Sequence, residues 1–158
     1  MTVYFACDHA GFHLKEALVP FVRDELHLTV HDCGAHEYVE GDDYPDYCAL
    51  AAQAVSEAPG DTRGIILGGS GQGEAIVANR FPHVRAVVFN GQYAPSDGRE
   101  VPHEVETARE HNDANILSLG ARFLNEEEAK SAVHTFLTTF FSGDERHRRR
   151  IKKIEHYP

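Results

Sequence analysis

Arg63-Gly64-Ile65-Ile66-Leu67 runs without a break into Gly68-Gly69-Ser70-Gly71-Gln72-Gly73, and Glu74 follows at once. A short apolar run bounded by glycine reads as a strand buried on both faces. The glycine stretch then opens into a helix over 74–80, so the segment is a strand–loop–helix unit. The chain repeats that unit on either side. Upstream, residues 2–7 read as a strand, and 12–25 carry Leu14, Ala17, Leu18, Phe21 and Val22 at helical spacing. A second strand is expected over 27–32, a polar segment over 34–43, and an alanine-faced helix over 44–57 that stops at Pro59-Gly60. Downstream come strands at 84–89 and 115–119, helices at 105–112 and 126–141, and a basic helical tail over 145–155.

Apolar strands that alternate with helices imply a parallel sheet covered on both faces. The expected fold class is α/β, a doubly wound, Rossmann-like α/β/α sandwich with roughly five strands and a C-terminal helical tail. The 158 residues suit one domain, 1–158, with no internal repeat or linker. Ligands in such folds bind beyond the carboxyl ends of the strands, at the switch point. The informative residues are therefore Asp8-His9, the glycine loop and Gly120-Ala121-Arg122. The one long polar connection is 95–104, PSDGREVPHE.

Composition removes whole classes of function. Hydrophobic residues at 42% and charged residues at 25% exclude a disordered or collagen-like chain. The 25 acids against 15 bases, net −10, oppose any broad nucleic-acid or membrane surface. A small anionic ligand held by a few cations remains open. Cys7, Cys33 and Cys48 form no C-x-x-C pair, which points away from structural zinc and disulfides and toward a reducing cytoplasm. Residues 1–13 lack a positive n-region and a long apolar core, so no signal peptide is expected there, and no apolar run approaches the ~20 residues that cross a bilayer.

The alternating glycines leave main-chain N–H groups free to converge on an anion, with a helix end behind them. A tight turn that needs positive φ is the plainer meaning. A dinucleotide fingerprint belongs after the first strand, with an acid about 20 residues on. This loop follows the third, and the fourth ends in Phe89-Asn90-Gly91. No Gly-Lys-Ser/Thr follows, so it is not a Walker loop. Glu74 is a dipole partner for its helix or, if it faces a closed pocket, a candidate general base. His9 and His13 lie four apart with no third metal ligand beside them. Arg146 and Arg150 share a face of the basic tail and could grip a phosphate together.

With these segments in hand, the chain resembles ribose-5-phosphate isomerase type B and its relatives, which include galactose-6-phosphate isomerase. The resemblance rests on Cys7-Asp8-His9-Ala10-Gly11, Asp43-Tyr44-Pro45 and the run from Gly64 to Arg80. It continues through Ala108-Arg109-Glu110-His111-Asn112-Asp113-Ala114-Asn115, Gly120-Ala121-Arg122 and Arg146-His147-Arg148-Arg149-Arg150. It implies a metal-independent, cofactor-free interconversion of an aldose phosphate and a ketose phosphate through a cis-enediolate. Ribose 5-phosphate and ribulose 5-phosphate are the expected pair. Many relatives place a basic cysteine at the end of the third strand, where this chain has Gly68. A second branch uses a glutamate after the glycine loop, which matches Glu74.

The resemblance further implies Glu74 as base and Ser70 as an orienting group, with Asp8 and His111 opening the cyclic sugar. His9, Gly69, Gly71, Gly73 and Asn112 would hold the substrate, and Arg122, Arg146 and Arg150, with His9, its phosphate. No metal site is implied. A second subunit would complete the site, giving at least a homodimer, with the tail over 142–158 packing on the partner. The 95–104 stretch looks like an insertion beside the site, which leaves a tetrose or hexose phosphate open as substrate. A non-catalytic phosphosugar- or nucleotide-binding module is the rival of another class.

Overall fold

The computed structural model describes residues 1–157. Five strands, β1 (Thr2–Cys7), β2 (Thr29–Asp32), β3 (Thr62–Gly68), β4 (Ala86–Phe89) and β5 (Ile116–Gly120), form one parallel sheet in the order β2-β1-β3-β5-β4. The central strands β1, β3 and β5 are buried almost throughout, as their unbroken apolar runs require. The edge strand β2 alternates between exposed and half-buried residues instead.

Six helices cover the sheet: α1 (Phe12–Pro20), α2 (Tyr44–Glu57), α3 (Gln72–Ala78), α4 (Glu104–Asn112), α5 (Glu126–Thr138) and α6 (Glu145–Ile154). Leu18 of α1, Val105 of α4 and Val133 and Phe136 of α5 pack with Phe5, Leu67 and Leu119 on one face. Cys48, Ala51 and Val55 of α2 and Ala78 of α3 pack with Ala6, Ile66 and Ile116 on the other. The tail helix α6 packs against α4 of its own chain.

Several boundaries differ from expectation. The helix expected over 12–25 changes character at Pro20, and Phe21–Glu25 form a π-helical turn closed by Leu26 N–H to Phe21 O at 3.1 Å. Proline has no N–H to give to the preceding turn, which is a recognised cause of such a change. The second strand starts two residues late because His27 takes a positive φ. The fourth starts at Ala86 because the Arg85 N–H goes to the Asn115 side chain at 2.7 Å. Helix α5 ends at Thr138, three residues short of 141.

The register aligns the strand ends that matter. Cys7 pairs with Leu67, and Gly68 pairs with Gly120. The chain leaves β1 for β2 on one side and returns to β3 on the other, so the switch point falls between β1 and β3.

Candidate active site

A cleft of about 390 Å³ opens at that switch point. Asp8, His9 and Ala10 line it from the end of β1, and Gly69, Ser70, Gly73 and Glu74 from the loop after β3. Arg122 and Phe123 close it from beyond β5, and Tyr44 from the start of α2.

The glycine loop is held by its carbonyls. Gly68 O accepts from Ala121 N–H at 2.8 Å, and Gly69 O from Arg122 N–H at 3.2 Å. Ser70 O accepts from Asn90 Nδ2 at 3.1 Å, and Gly71 O from Ser118 Oγ at 2.6 Å. The N–H groups of Ser70 and Gly71 donate to no acceptor among the described residues. A loop whose carbonyls are all occupied and whose amides are open has the polarity of an anion receptor. Gly71, at the N-cap of α3, has φ +73°, and a Cβ there would lie 3.1 Å from Ser118 Oγ. Both facts require glycine.

Glu74 enters the cleft from the first turn of α3 and is only 3% exposed. Its carboxylate lies where a side chain at residue 68 would go; a Cβ on Gly68 would overlap Oε1 and stand 3.0 Å from Oε2. Burial pushes the Glu74 carboxyl above the ordinary carboxylate range. Its own main-chain N–H opposes that rise, and the Asp8 charge adds to it. A buried carboxylate that is hard to ionise is a strong base once ionised.

Asp8 is buried, and its Oδ1 accepts from Ala10 N–H at 3.0 Å and Gly11 N–H at 3.2 Å. His9 is tied to Asp42, whose Oδ1 accepts the His9 main-chain N–H at 2.7 Å and lies 2.8 Å from Nδ1. Asp8, His9 and Asp42 thus bring one possible ligand atom each within 4.8 Å of one another. This corrects the expectation that His9 has no ligand neighbours beyond His13. The His9 nitrogen that faces this cluster is already occupied by Asp42. Arg122 has no acidic partner among the described residues, and its guanidinium lies against Gly69. Tyr44 lies against Gly73, where a Cβ would meet its Oη at 2.5 Å. Ser70 Oγ takes only a long bond, 3.4 Å, from Gln72 N–H.

The remaining expected residues lie elsewhere. His111 and Asn112 end α4, ahead of β5, at the opposite edge of the sheet from Glu74. The four steps between the five residues of β5, at about 3.3 Å each, set the two edges roughly 13 Å apart. Arg146 and Arg150 sit exposed on α6, which meets α4 where the rings of His111 and His147 lie tilted at 36° to one another with centroids 4.3 Å apart. One chain therefore gathers Asp8, His9, Gly69, Ser70, Gly71, Gly73, Glu74 and Arg122. It leaves His111, Asn112, Arg146 and Arg150 outside its own cleft.

The cysteines stay out of this cleft. All three are free, and burial pushes Cys7 up to about 12 and Cys33 up to about 11. Among the described residues no helix is long and apolar enough to cross a membrane.

Sequence reading missed Asp42, Asn90 and Ser118 as parts of this site. Asp42 sits in a polar segment with nothing to mark one acid over its neighbours. Asn90 and Ser118 act on carbonyls 20 and 47 residues away, a relation with no local signature.

The profile of the ribose/galactose isomerase family matches residues 3–154. The ribose-5-phosphate isomerase B of Mycolicibacterium paratuberculosis is 39% identical over 158 residues, covering 99% of this chain and 91% of the relative. Among solved structures, ribose-5-phosphate isomerase B from Mycoplasma genitalium, with bound ribulose-5-phosphate, superposes with a TM-score of 0.87 at 31% identity. That match covers 99% of this chain and 95% of the other. The Clostridium thermocellum ribose-5-phosphate isomerase B gives 0.86 at 36% identity, covering 99% and 96%.

Proposed function

This chain belongs to the ribose/galactose isomerase family, and on that premise we propose that it interconverts an aldose phosphate and its ketose phosphate, ribose 5-phosphate and ribulose 5-phosphate in the first instance. The observation that carries the reading is the buried Glu74 carboxyl set beside an open row of loop amides.

The chemistry follows from that arrangement. Glu74 takes the proton from C2 of the open-chain aldose, and the electron pair moves into a C1–C2 double bond. The carbonyl oxygen at C1 becomes an enediolate oxygen. The loop N–H groups receive that charge; preorganised donors of this type are worth about 2.7–4 kcal/mol each. Glu74 then returns its proton to C1 while the hydroxyl proton of O2 passes to O1, leaving the ketose. Ser70 orients the substrate beside the carboxylate, and Gly69, Gly71 and Gly73 leave room for it. Asp8 accepts a sugar hydroxyl proton as the ring opens. His9 and Arg122 take the phosphate. The reaction moves only protons, so neither metal nor cofactor has a task in it.

His111 joins in ring opening, Asn112 holds a hydroxyl, and Arg146 and Arg150 complete the phosphate grip, all brought by a second copy of the chain. Their distance from Glu74 within one chain supports a shared site and hence a homodimer. The chain acts as one isomerase domain over 1–158, with its 142–158 tail reaching the partner. The free cysteines suit a cytoplasmic setting.

A second reading, a shorter or longer sugar phosphate, is favoured by one observation. Val101 and Pro102, from the 95–104 connection and the residues just before α4, line a cavity of about 370 Å³ with Thr107, Ala108 and Asn112 of α4. The deciding experiment is turnover on four-, five- and six-carbon sugar phosphates in chelator-treated protein. A ribose preference that Glu74→Gln abolishes is the expected outcome. No turnover on any of them, with tight nucleotide binding by calorimetry, would leave a binding module instead.

A further inference from the structure

One carboxylate oxygen holds His9 twice. Asp42, 33 residues downstream, accepts the His9 main-chain N–H and faces Nδ1 with the same Oδ1. Its side chain is 8% exposed, and its other oxygen, Oδ2, is buried without a hydrogen-bond partner. A buried carboxylate left half satisfied calls for a nearby positive charge. Among the described residues the His9 ring is the only group that can carry a positive charge paired with it. For Nδ1 to bond that oxygen it must carry a proton, which leaves Nε2 as the nitrogen that titrates. Nε2 has no partner among the described residues, and His9 lines the cleft with Arg122.

We propose that Asp42 is a positioning residue for phosphate recognition: it fixes the His9 ring through Nδ1, so that a protonated Nε2 is presented to the substrate phosphate alongside Arg122. This rests on the sugar-phosphate reading above. The groups around the ring are consistent with it. The Asp42 hydrogen bond holds His9 above the ordinary imidazole range against the cost of burial. Asp8, 4.0 Å from Nδ1, adds to the rise, and Arg122 opposes it. Tyr38 meets the ring edge-on at 6.2 Å and stacks on His13 beyond. Burial, with the Asp42 charge, pushes the Tyr47 phenol up, so it adds no charge of its own.

Asp42→Asn keeps an acceptor for the main-chain N–H and removes the charge. The test joins a nitrogen-15 NMR titration of His9 with ribose 5-phosphate kinetics across pH. Each unit by which the His9 pKa falls in Asp42→Asn should raise KM about tenfold above the imidazole range, with kcat at saturation within about twofold. The alkaline limb of kcat/KM should move to lower pH by the same amount. Asp42→Glu, which restores the carboxylate, should recover part of the wild-type limb. An unmoved His9 titration in Asp42→Asn overturns the proposal. So does a fall in kcat at constant KM at every pH, or an Asp42→Glu protein as shifted as Asp42→Asn. Inorganic phosphate separates this from the reading beneath it. Phosphate that raises the His9 pKa in wild type but not in Asp42→Asn supports the pairing, even in a protein that turns over no sugar phosphate.

Discussion

The carboxylate of Glu74 occupies the side-chain space of residue 68. Gly68 closes β3 in register with Gly120, and the missing Cβ is what lets a group from the following helix reach back over the strand end. Base and strand end are thus coupled across six residues. A larger residue at 68 and a carboxylate from 74 exclude one another, which makes glycine here a condition for the site.

Gly68→Ala tests that coupling. The added methyl overlaps Oε1, and the carboxylate, at the free end of its side chain, must move rather than the strand. A displacement of about 1 Å at a reacting group can cost 10²-fold. The expected result is a kcat lower by about that factor with the sheet intact by circular dichroism. An unchanged kcat would show that the carboxylate does not act from this position.

Glu74→Gln should separate activity from stability. Removing the base lowers kcat by about 10²–10⁴-fold. Stability moves the other way. Burial raises the folded-state pKa of Glu74, so its contribution is fully present below the ordinary carboxylate value of 4.5 and is lost as pH rises through the raised value. At neutral pH an ionised, buried Glu74 is a cost that glutamine lacks. Thermal scans should find Glu74→Gln more stable than wild type at pH 7–8, with the gap closing as pH falls below 4.5. In wild type, kcat should fall on the acid side at a pH above the ordinary carboxylate range. A variant less stable at pH 8 would contradict the burial argument.

Asn90→Ala tests the loop scaffold. Asn90 Nδ2 holds the Ser70 carbonyl, while its Oδ1 is buried without a partner. Losing the bond costs about 0.5–1.5 kcal/mol, and removing the unsatisfied oxygen offsets part of it. Global stability should barely move. A loop carbonyl freed to rotate carries the neighbouring amides with it, and a loss of 1.36 kcal/mol in the transition state is about tenfold in kcat/KM. A normal kcat/KM would show that the loop holds its shape without Asn90.

The parallel sheet was legible because β1, β3 and β5 each carry an apolar core run and their loops carry glycine. The cleft residues were legible for the same reason, since Asp8, Ser70 and Arg122 stand within two residues of a strand end and Glu74 stands directly behind the glycine loop. Asp42 was not, because its role is set by His9, 33 residues away, and by burial. The position of His111 relative to Glu74 was readable only in part. Order along the chain puts His111 before β5, but only the parallel register shows that this means the far edge of the sheet.

That geometry gives the sharpest test of a shared site. If Glu74 works with His111 and Arg146 of a second copy, Glu74→Gln and His111→Ala are each inactive for reasons that lie in different halves of one site. Mixing them under conditions of subunit exchange produces mixed dimers, each with one intact site and one doubly impaired. At equal amounts about a quarter of all sites become whole, because half the dimers are mixed and half their sites are intact. Activity should therefore rise from near zero to about a quarter of wild type, following the rate of exchange. Mixing Glu74→Gln with Asp8→Asn should restore nothing, since both lie on the same side of the site. Failure of the first mixture, with exchange verified by native mass spectrometry, would place His111 outside the catalytic site.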